Sequence, residues 1–374
     1  MKKYAIFFPQ FHKVPVNDQA WGSGFTDWAL VSSANAFNYW SRRFPKRGAY
    51  DLSSHDVVDE IFQSAASSGL NGFGIYHYRF DDGPELQAVE DYLLTANIPE
   101  DFGVFFIWAN ENWTKRWAGK DTEILKSISP APSREMVRAH VQYLKPFMEA
   151  KYYTKYKDRP MFVIYRPEIF HDIESTLKGY RDEFAQIGID PAIGYCLKSA
   201  ADVDFSKMFD FCYLFEPRLF FNFRGLRKSK WLHSVYAKIL HLFDYSKIES
   251  ISSLVSKLVG GKKQTFLFSS FLDYFVSARR AQLVSEILCP VQNILTSGWN
   301  NAPRYRDLYS EVKVPDPTQF ELMLKSTQND RAISKDLPLL CNAWNEWSEG
   351  AAIEPCIYLG DSLLNSYLAK TKKG

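Results

Sequence analysis

Short apolar runs recur eight times along the chain, and this repetition limits the folds that the sequence can adopt. The runs are continuous rather than alternating, which is typical of strands buried on both faces of a parallel sheet. They are YAIFF (4–8), GFGIY (72–76), GVFFIW (103–108), MFVIY (161–165), AIGYC (192–196), FDFCYLF (209–215), VQNILT (291–296) and LPLLCNAW (337–344). Stretches with helical spacing separate most of them. Eight such units in 374 residues predict an α/β fold, a single (β/α)8 TIM barrel over residues 1–374, with a doubly wound open sheet as the alternative.

The repeat is interrupted between the sixth and seventh runs, where residues 218–288 predict a helical insertion. Residues 224–263 carry nine Lys or Arg against two acids, and KWLHSVYAKILHLF (230–243) places apolar residues along one helical stripe. A basic amphipathic helix is typical of contact with an anionic membrane surface or a partner protein. The alternative is a helix that packs its apolar face on the barrel. The candidate membrane contacts are Lys228, Lys230, Trp231 and Lys238.

Composition and missing motifs exclude several functions. A net charge of +2 gives no general attraction to nucleic acid. The five cysteines contain no CxxC pair, which fits a reducing compartment and gives no metal signature. The chain has no GxGxxG, P-loop, HExxH or GxSxG motif, so we expect no metal ion or cofactor. The first apolar run is too short for a signal peptide, and no run is long enough to span a membrane. These features predict a cytoplasmic protein, peripheral at the inner membrane face.

Polar and aromatic residues gather where the predicted strands end, which in a TIM barrel is the side that carries the active site. Aromatics make up 16% of the chain, including 10 Trp, and aromatic rings pack well against sugar rings, although core packing explains many of them. Asn and Glu side chains can bind sugar hydroxyls. The candidate substrate-binding residues are Gln10, His12, Trp21, Asp27, Tyr76, His77, Tyr78, Trp108, Asn110, Glu111, Asn112, Trp113, Trp117, Glu216, Trp299, Asn300, Asn345 and Trp347.

The segment WNEWSEG (344–350) follows the last predicted strand and contains two acids, Glu346 and Glu349. Glycosyl transfer or hydrolysis needs a proton for the leaving oxygen and a second carboxylate that acts as a base or nucleophile. Two neighbouring acids suit these tasks because their repulsion raises one pKa. A spacing of three residues brings both carboxylates to one side only if the chain turns near Trp347. A solvated surface turn is the alternative, and we predict a catalytic pair.

Six motifs together resemble the WbsX-type glycosyltransferase family, which is related to glycoside hydrolase family 99, the endo-α-mannosidases. They are AIFFPQFHKVPVND, WGSGFTDW, GFGIYHYRF, FIWANENWTKRW, GWNNAPR and WNEWSEGAAIEP, and they extend from residue 4 to about residue 360. The resemblance implies a (β/α)8 barrel. Two positions depart from the family pattern. Asn300 stands where the family often has Asp, and Asp27 stands where it usually has Glu.

The resemblance also implies roles for the two glutamates. Glu346 would be the base that deprotonates the sugar's own 2-hydroxyl group, and Glu349 would be the acid that protonates the leaving group. The 2-oxygen would then close a 1,2-anhydro intermediate, which gives retention without a sugar bound covalently to the enzyme. Glu349 would afterwards activate the acceptor.

Three functions are compatible with these features. The first is retaining glycosyl transfer in the synthesis of a bacterial surface polysaccharide (O-antigen or capsule), with a lipid-linked oligosaccharide or polysaccharide as acceptor and an activated sugar as donor. The second is a retaining endo-glycosidase, similar to an endo-α-mannosidase. The third is a barrel that binds glycans without catalysis, which would tolerate loss of a glutamate.

Overall fold

Eight parallel strands form a closed barrel in the computed structural model, which describes residues 1–35, 43–115, 120–225, 264–305 and 309–369. The strands are β1 (Lys3–Phe7), β2 (Gly72–Phe80), β3 (Gly103–Trp108), β4 (Arg159–Ile164), β5 (Ala192–Leu197), β6 (Phe211–Phe215), β7 (Val291–Thr296) and β8 (Leu339–Asn342). Each strand pairs with the next one in the sequence, and β1 pairs with both β2 and β8. The predicted TIM barrel is therefore confirmed, and the open-sheet alternative is wrong.

Helices occupy most of the connections between the barrel strands. The α-helices of the described residues are α1 (Pro15–Trp21), α2 (Asp27–Asn35), α3 (His55–Ser67), α4 (Ala88–Thr95), α5 (Arg134–Met148), α6 (Ile173–Gln186), α7 (Arg218–Gly225), α8 (Phe268–Phe275), α9 (Ala278–Ser285), α10 (Ala302–Tyr305), α11 (Pro317–Asn329) and α12 (Ser362–Leu368). Short 3-10 helices span Pro167–Ile169, Ala200–Lys207 and Trp347–Glu349. The second of these connects β5 to β6, where the sequence has only a weak helical pattern.

Short additional strands lie at the ends of the barrel. They are Gly83–Glu85, Trp113–Lys115, Lys120–Lys126, Lys155–Tyr156, Gln264–Phe266, Trp299–Asn300, Ser310–Val312, Asn345–Glu346 and Ala351–Ala352. Most of them follow the carboxyl ends of β2, β3, β7 and β8, so they extend the side of the barrel that carries the polar motifs.

Two neighbouring strands, β2 and β3, begin with a glycine where a side chain would meet Tyr4. The Tyr4 side chain is 1% exposed and lies close to the backbone of β2 and β3. A Cβ atom on Gly72 would clash with the Gly103 carbonyl oxygen and with the Tyr4 ring, and one on Gly103 would clash with the Tyr4 hydroxyl oxygen. A side chain at either position would therefore displace Tyr4, and at Gly72 also the backbone of β3, because a well-packed interior has no space to absorb it.

The predicted insertion lies only partly within the described residues. Helices α7, α8 and α9 belong to the range 218–288, but Lys228, Lys230, Trp231 and Lys238 lie outside the described residues. The boundaries of the insertion and its membrane contact therefore stay predictions. Across the five described ranges, no helix is long and apolar enough to cross a membrane.

Candidate active site

The segment after β8 makes the turn that the paired glutamates require. Asn345–Glu346 pairs with Ala351–Ala352 as a small antiparallel hairpin, and the 3-10 helix Trp347–Glu349 forms its tip. Gly350 closes the turn with a φ of 60°, a left-handed conformation that glycine adopts at little cost. The turn places Glu346 and Glu349 on the same side of the segment, where both interact with one arginine.

Arg304 of α10 bridges the two glutamates. Its Nη1 atom lies 2.5 Å from Glu349 Oε1 and 3.4 Å from Glu346 Oε1. Its Nη2 atom lies 3.2 Å from Oδ2 of Asp27 at the start of α2. The connections after β1, β7 and β8 thus converge on one guanidinium group.

Asp27 is the third acid of this cluster and contacts both Arg304 and Ser348. Its side chain is fully buried, and Ser348 donates its hydroxyl to the same Oδ2 atom that Arg304 contacts. Asp27 therefore joins α2 to the tip of the glutamate turn. Because its carboxylate is inaccessible, its predicted contact with substrate is replaced in this structure by contacts with Ser348 and Arg304.

Burial and mutual repulsion set the charge state of the pair. Three carboxylates and one guanidinium would carry two uncompensated negative charges if all were ionised, which is unfavourable in a buried site. Burial, followed by the negative charge of Glu349, raises the pKa of Glu346 well above its usual value. Burial also raises the pKa of Glu349, but the contact with Arg304 opposes that rise. Glu346 is therefore the member of the pair that retains a proton more readily.

Aromatic residues of β2, and others directly after β1 and β4, lie beside the glutamates. Burial, with a smaller effect of the Glu346 charge, raises the pKa values of Tyr76 and Tyr78. The Tyr76 ring lies 6.0 Å from the Tyr165 ring and 6.4 Å from the Phe8 ring. These rings form an apolar layer beside Glu346 and are largely buried, with Tyr76 6% and Tyr78 8% exposed.

A second charged group follows β3, β4 and β5. Arg166 contacts Glu111 at 3.2 Å and Glu168 at 3.0 Å, and Lys198 contacts Glu168 at 3.1 Å. The side chain of Glu111 is 43% exposed. Of the predicted carboxylates other than the catalytic pair, Glu111 is therefore the one placed to reach a ligand.

The asparagines predicted to bind sugar hydroxyls form hydrogen bonds within the protein through their side-chain amides. Asn345 accepts from the Phe8 backbone N–H at 2.8 Å and donates to its carbonyl at 2.9 Å. Asn110 makes the same paired contact with the Arg166 backbone at 2.7 and 2.8 Å. Asn112 accepts from a backbone N–H after the Lys120–Lys126 strand. Asn300 donates to Glu311 and accepts from the start of α10. These amides fix the rim loops in position.

His77 points away from the barrel mouth into the layer between the strands and the helices. Its Nδ1 lies 2.8 Å from Glu90 Oε1, and its Nε2 lies 2.9 Å from His140 Nε2. His140 continues the chain of hydrogen bonds to Tyr180, and Tyr143 donates to Glu90. Both ring nitrogens of His77 are engaged, so this structure gives it no contact with the candidate site. The neighbouring Tyr76 and Tyr78 face the opposite way because side chains alternate along a strand.

Trp108, Trp347 and Glu216 are also directed away from the mouth. Trp108, the last residue of β3, packs against α6, with its ring 5.8 Å from that of Tyr180. Trp347 donates its indole N–H to the buried Glu354 at 3.2 Å. Glu216 accepts from Arg280, Tyr274 and the Phe220 backbone, each at 3.2 Å. The structure therefore gives all three a packing role.

The remaining predicted contacts differ in their placement. Gln10 and His12 are buried after β1. Trp21 is half-buried and its ring lies 5.8 Å from that of Phe25. Trp113 and Trp299 are half-buried at the ends of β3 and β7, and Trp113 packs on Tyr78 with their rings 5.4 Å apart. Trp117 lies outside the described residues.

Arg304 is the site residue that the sequence prediction omitted. It lies in the motif GWNNAPR, and an arginine in the loop after a predicted strand is a weak signal. Its contacts with Asp27, Glu346 and Glu349 span 277, 42 and 45 positions of the chain. No local sequence pattern indicates contacts over such separations. No group of three or more His, Cys, Asp or Glu side chains in the part of the chain that the structure describes is arranged to hold a metal ion.

A buried acid pair at the carboxyl end of a TIM barrel contains the groups that glycosyl transfer or hydrolysis needs. The family model of the WbsX glycosyltransferases matches residues 3–367. The chain therefore belongs to the WbsX glycosyltransferase family, as its motifs predicted.

Two relatives cover nearly the whole chain. The uncharacterized protein WxcX of Xanthomonas campestris pv. campestris strain B100 is 26% identical over 97% of this chain, and WxcX of strain ATCC 33913 is 28% identical over 97%. Each match covers 48% of the relative, so the chain spans about half the length of the curated relatives it matches.

Solved structures share the fold. An endo-alpha-mannosidase of glycoside hydrolase family 99 from Bacteroides thetaiotaomicron superposes with a TM-score of 0.52 at 11% identity, over 98% of this chain and 95% of that one. A glycoside hydrolase-like protein superposes with a TM-score of 0.53 at 13% identity, over 99% and 94%. At these identities the likeness concerns the barrel architecture alone.

Proposed function

We propose that this protein transfers a glycosyl group with retention of configuration during synthesis of a bacterial surface polysaccharide. The observation that carries the proposal is the buried pair Glu346 and Glu349, held on one turn after β8 and bridged by Arg304. Burying two acids beside a third, with one arginine to balance them, lowers stability. Perturbed acids of this kind are typical of catalytic sites, so the arrangement favours catalysis over simple glycan binding.

The resemblance to family 99 suggests how the two acids would act. The Glu346 carboxylate would take the proton of the donor's 2-hydroxyl, and the freed oxygen would attack C1 from the face opposite the leaving group. Glu349 would give its proton to the departing oxygen. The Glu349 carboxylate would then take a proton from the acceptor hydroxyl, whose oxygen opens the 1,2-anhydro ring at C1, while Glu346 returns its proton to the 2-oxygen. Two inversions at C1 give net retention, and both acids end as they began.

The substrate class follows from the family and from the lining of the mouth. Glu111, whose side chain is 43% exposed, offers a hydrogen-bond acceptor, which suits a glycan, and the largely buried rings of Tyr76 and Tyr78 lie beside Glu346. We propose an oligosaccharide or polysaccharide acceptor and an activated-sugar donor. A lipid-linked acceptor would explain the basic residues of the predicted insertion, whose contact with membrane stays a prediction.

A retaining endo-glycosidase is the second candidate. The same proton transfers would release a sugar if water replaced the acceptor. The absence of a nucleotide-binding motif from the sequence favours this alternative, since a hydrolase needs no activated donor.

Product analysis distinguishes the two candidates. The purified protein is incubated with activated-sugar donors and oligosaccharides, alone and in combination, and the products are identified by mass spectrometry. Transfer predicts an acceptor heavier by one glycosyl unit that appears only when donor and acceptor are both present. Release of free sugar, with solvent ¹⁸O incorporated at C1, would instead establish hydrolysis. A glycan that binds but never reacts would contradict both.

A further inference from the structure

We propose that Arg304 is a positioning residue that determines which of Glu346 and Glu349 holds their shared proton, and that substrate must draw Arg304 away from Glu349 before transfer begins. The inference rests on the proposed function for the identity of the acid and the base. Its structural basis is independent, because it concerns the protein before any substrate is bound.

The contacts of Arg304 are unequal. Its Nη1 atom is 2.5 Å from Glu349 but 3.4 Å from Glu346. A charge-assisted hydrogen bond stabilises the ionised partner, so the shorter contact favours the Glu349 carboxylate. The proton of the pair then resides on Glu346. The resting state is therefore opposite to the state that the proposed reaction needs, in which Glu349 donates a proton and Glu346 accepts one.

Arg304 has an anchor that allows such a movement. Its Nη2 atom contacts Asp27 at 3.2 Å, and its guanidinium lies 5.3 Å from the centre of the Phe8 ring. Nη1 can thus leave Glu349 while Nη2 stays on Asp27. The proton then passes from Glu346 to Glu349, which leaves one carboxylate and one carboxylic acid, as before, with their positions exchanged.

Other charged and titratable groups also face the pair. Asp27 raises the pKa of both glutamates, and Arg218 of α7 lowers that of Glu349. Arg218 is exposed, so solvent screens its effect more than that of the buried Arg304. Neutral tyrosines complete the surroundings on β2, namely Tyr76 and Tyr78. Arg304 is therefore the group that most strongly favours ionisation of one glutamate over the other.

Carboxyl-carbon NMR of the full chain tests this assignment without substrate. The protein is labelled with ¹³C at glutamate Cδ, and the two signals are assigned with Glu346→Gln and Glu349→Gln. In the wild type we expect the Glu346 signal to titrate above that of Glu349. In Arg304→Gln we expect the Glu349 midpoint to rise by about one pH unit or more, a tenfold change in proton affinity. Arg304→Lys keeps the charge and should shift the midpoint by less.

The controls separate this inference from a folding defect and from the proposed function. Arg134→Gln removes an exposed arginine that pairs with Glu183 and should leave both midpoints unchanged. If Arg304→Gln does not fold, the smaller shift in Arg304→Lys decides the test. Unchanged Glu349 midpoints in every folded Arg304 variant would overturn the inference. A shifted midpoint in a protein that transfers no sugar would leave the inference standing and reject the proposed function.

Discussion

Trp347 donates its indole N–H to the carboxylate of Glu354, 3.2 Å away. One of the two residues between the candidate catalytic glutamates is thus held in place by a hydrogen bond. Tyr50 donates to the same oxygen at 3.0 Å, and Arg47 lies 3.1 Å from the other one. Burial raises the pKa of Glu354 to about 7, against the opposing effect of Arg47. The Glu354 carboxyl group, which holds Trp347 of the glutamate turn in place, therefore titrates near neutral pH.

We predict that Glu354 makes the protein less stable as pH rises from about 5 to 7. The folded state keeps the Glu354 proton in this range, whereas the unfolded state, with a pKa near 4.5, has already lost it, so stability falls with increasing pH. The full effect is roughly 2–4 kcal/mol, at about 1.4 kcal/mol per pKa unit. Urea denaturation of wild type and Glu354→Gln between pH 5 and 8 measures it. The variant should show a flatter dependence, and parallel curves would contradict the prediction.

His77 and Tyr76 are neighbours that should respond oppositely to substitution. His77→Ala removes a partner from the buried Glu90 and should lower the free energy of unfolding by about 1–3 kcal/mol, with little change in KM for the glycan. Tyr76→Phe should leave stability within about 1 kcal/mol but change KM or kcat. Denaturation curves and steady-state kinetics on both variants provide the comparison. A large rise in KM for His77→Ala at unchanged stability would instead support a substrate contact.

Glu216 and Arg280 should behave as a coupled buried pair. Arg280→Met leaves the Glu216 carboxylate without its cation and should cost about 3–5 kcal/mol. Burial already raises the pKa of Glu216, so this cost should be larger at pH 8 than at pH 5. Adding Glu216→Gln should recover part of it. A double-mutant cycle by urea denaturation measures the coupling, and simple additivity would show that the two side chains act independently.

The barrel itself could be predicted because its signal is local. A strand buried on both faces must be apolar along its length, so each strand leaves a continuous run in the sequence. The observed bounds differ mainly at the ends. β2, for example, continues to Phe80, four residues past the predicted run, where polar residues weaken the pattern.

The orientation of individual side chains at the rim was harder to predict. Tyr76, His77 and Tyr78 are consecutive, yet only the tyrosines lie beside the glutamates, because inward and outward positions alternate along β2. The amides of Asn110 and Asn345 could serve sugar or backbone, and the choice depends on a loop from another unit. Arg304 meets Asp27 only because the barrel closes between β1 and β8. Such contacts depend on the tertiary fold.

In the proposed function, Glu346 and Glu349 perform the proton transfers of glycosyl transfer. The most direct measurement compares the transfer rates of wild type, Glu346→Gln, Glu349→Gln and the exposed control Glu100→Gln on an ordinary donor and on a glycosyl fluoride, whose leaving group needs no proton. We predict that both site variants lose at least about a hundredfold in rate on the ordinary donor and that the fluoride restores donor cleavage in Glu349→Gln but not in Glu346→Gln. Wild-type rates in both site variants on the ordinary donor would contradict the account.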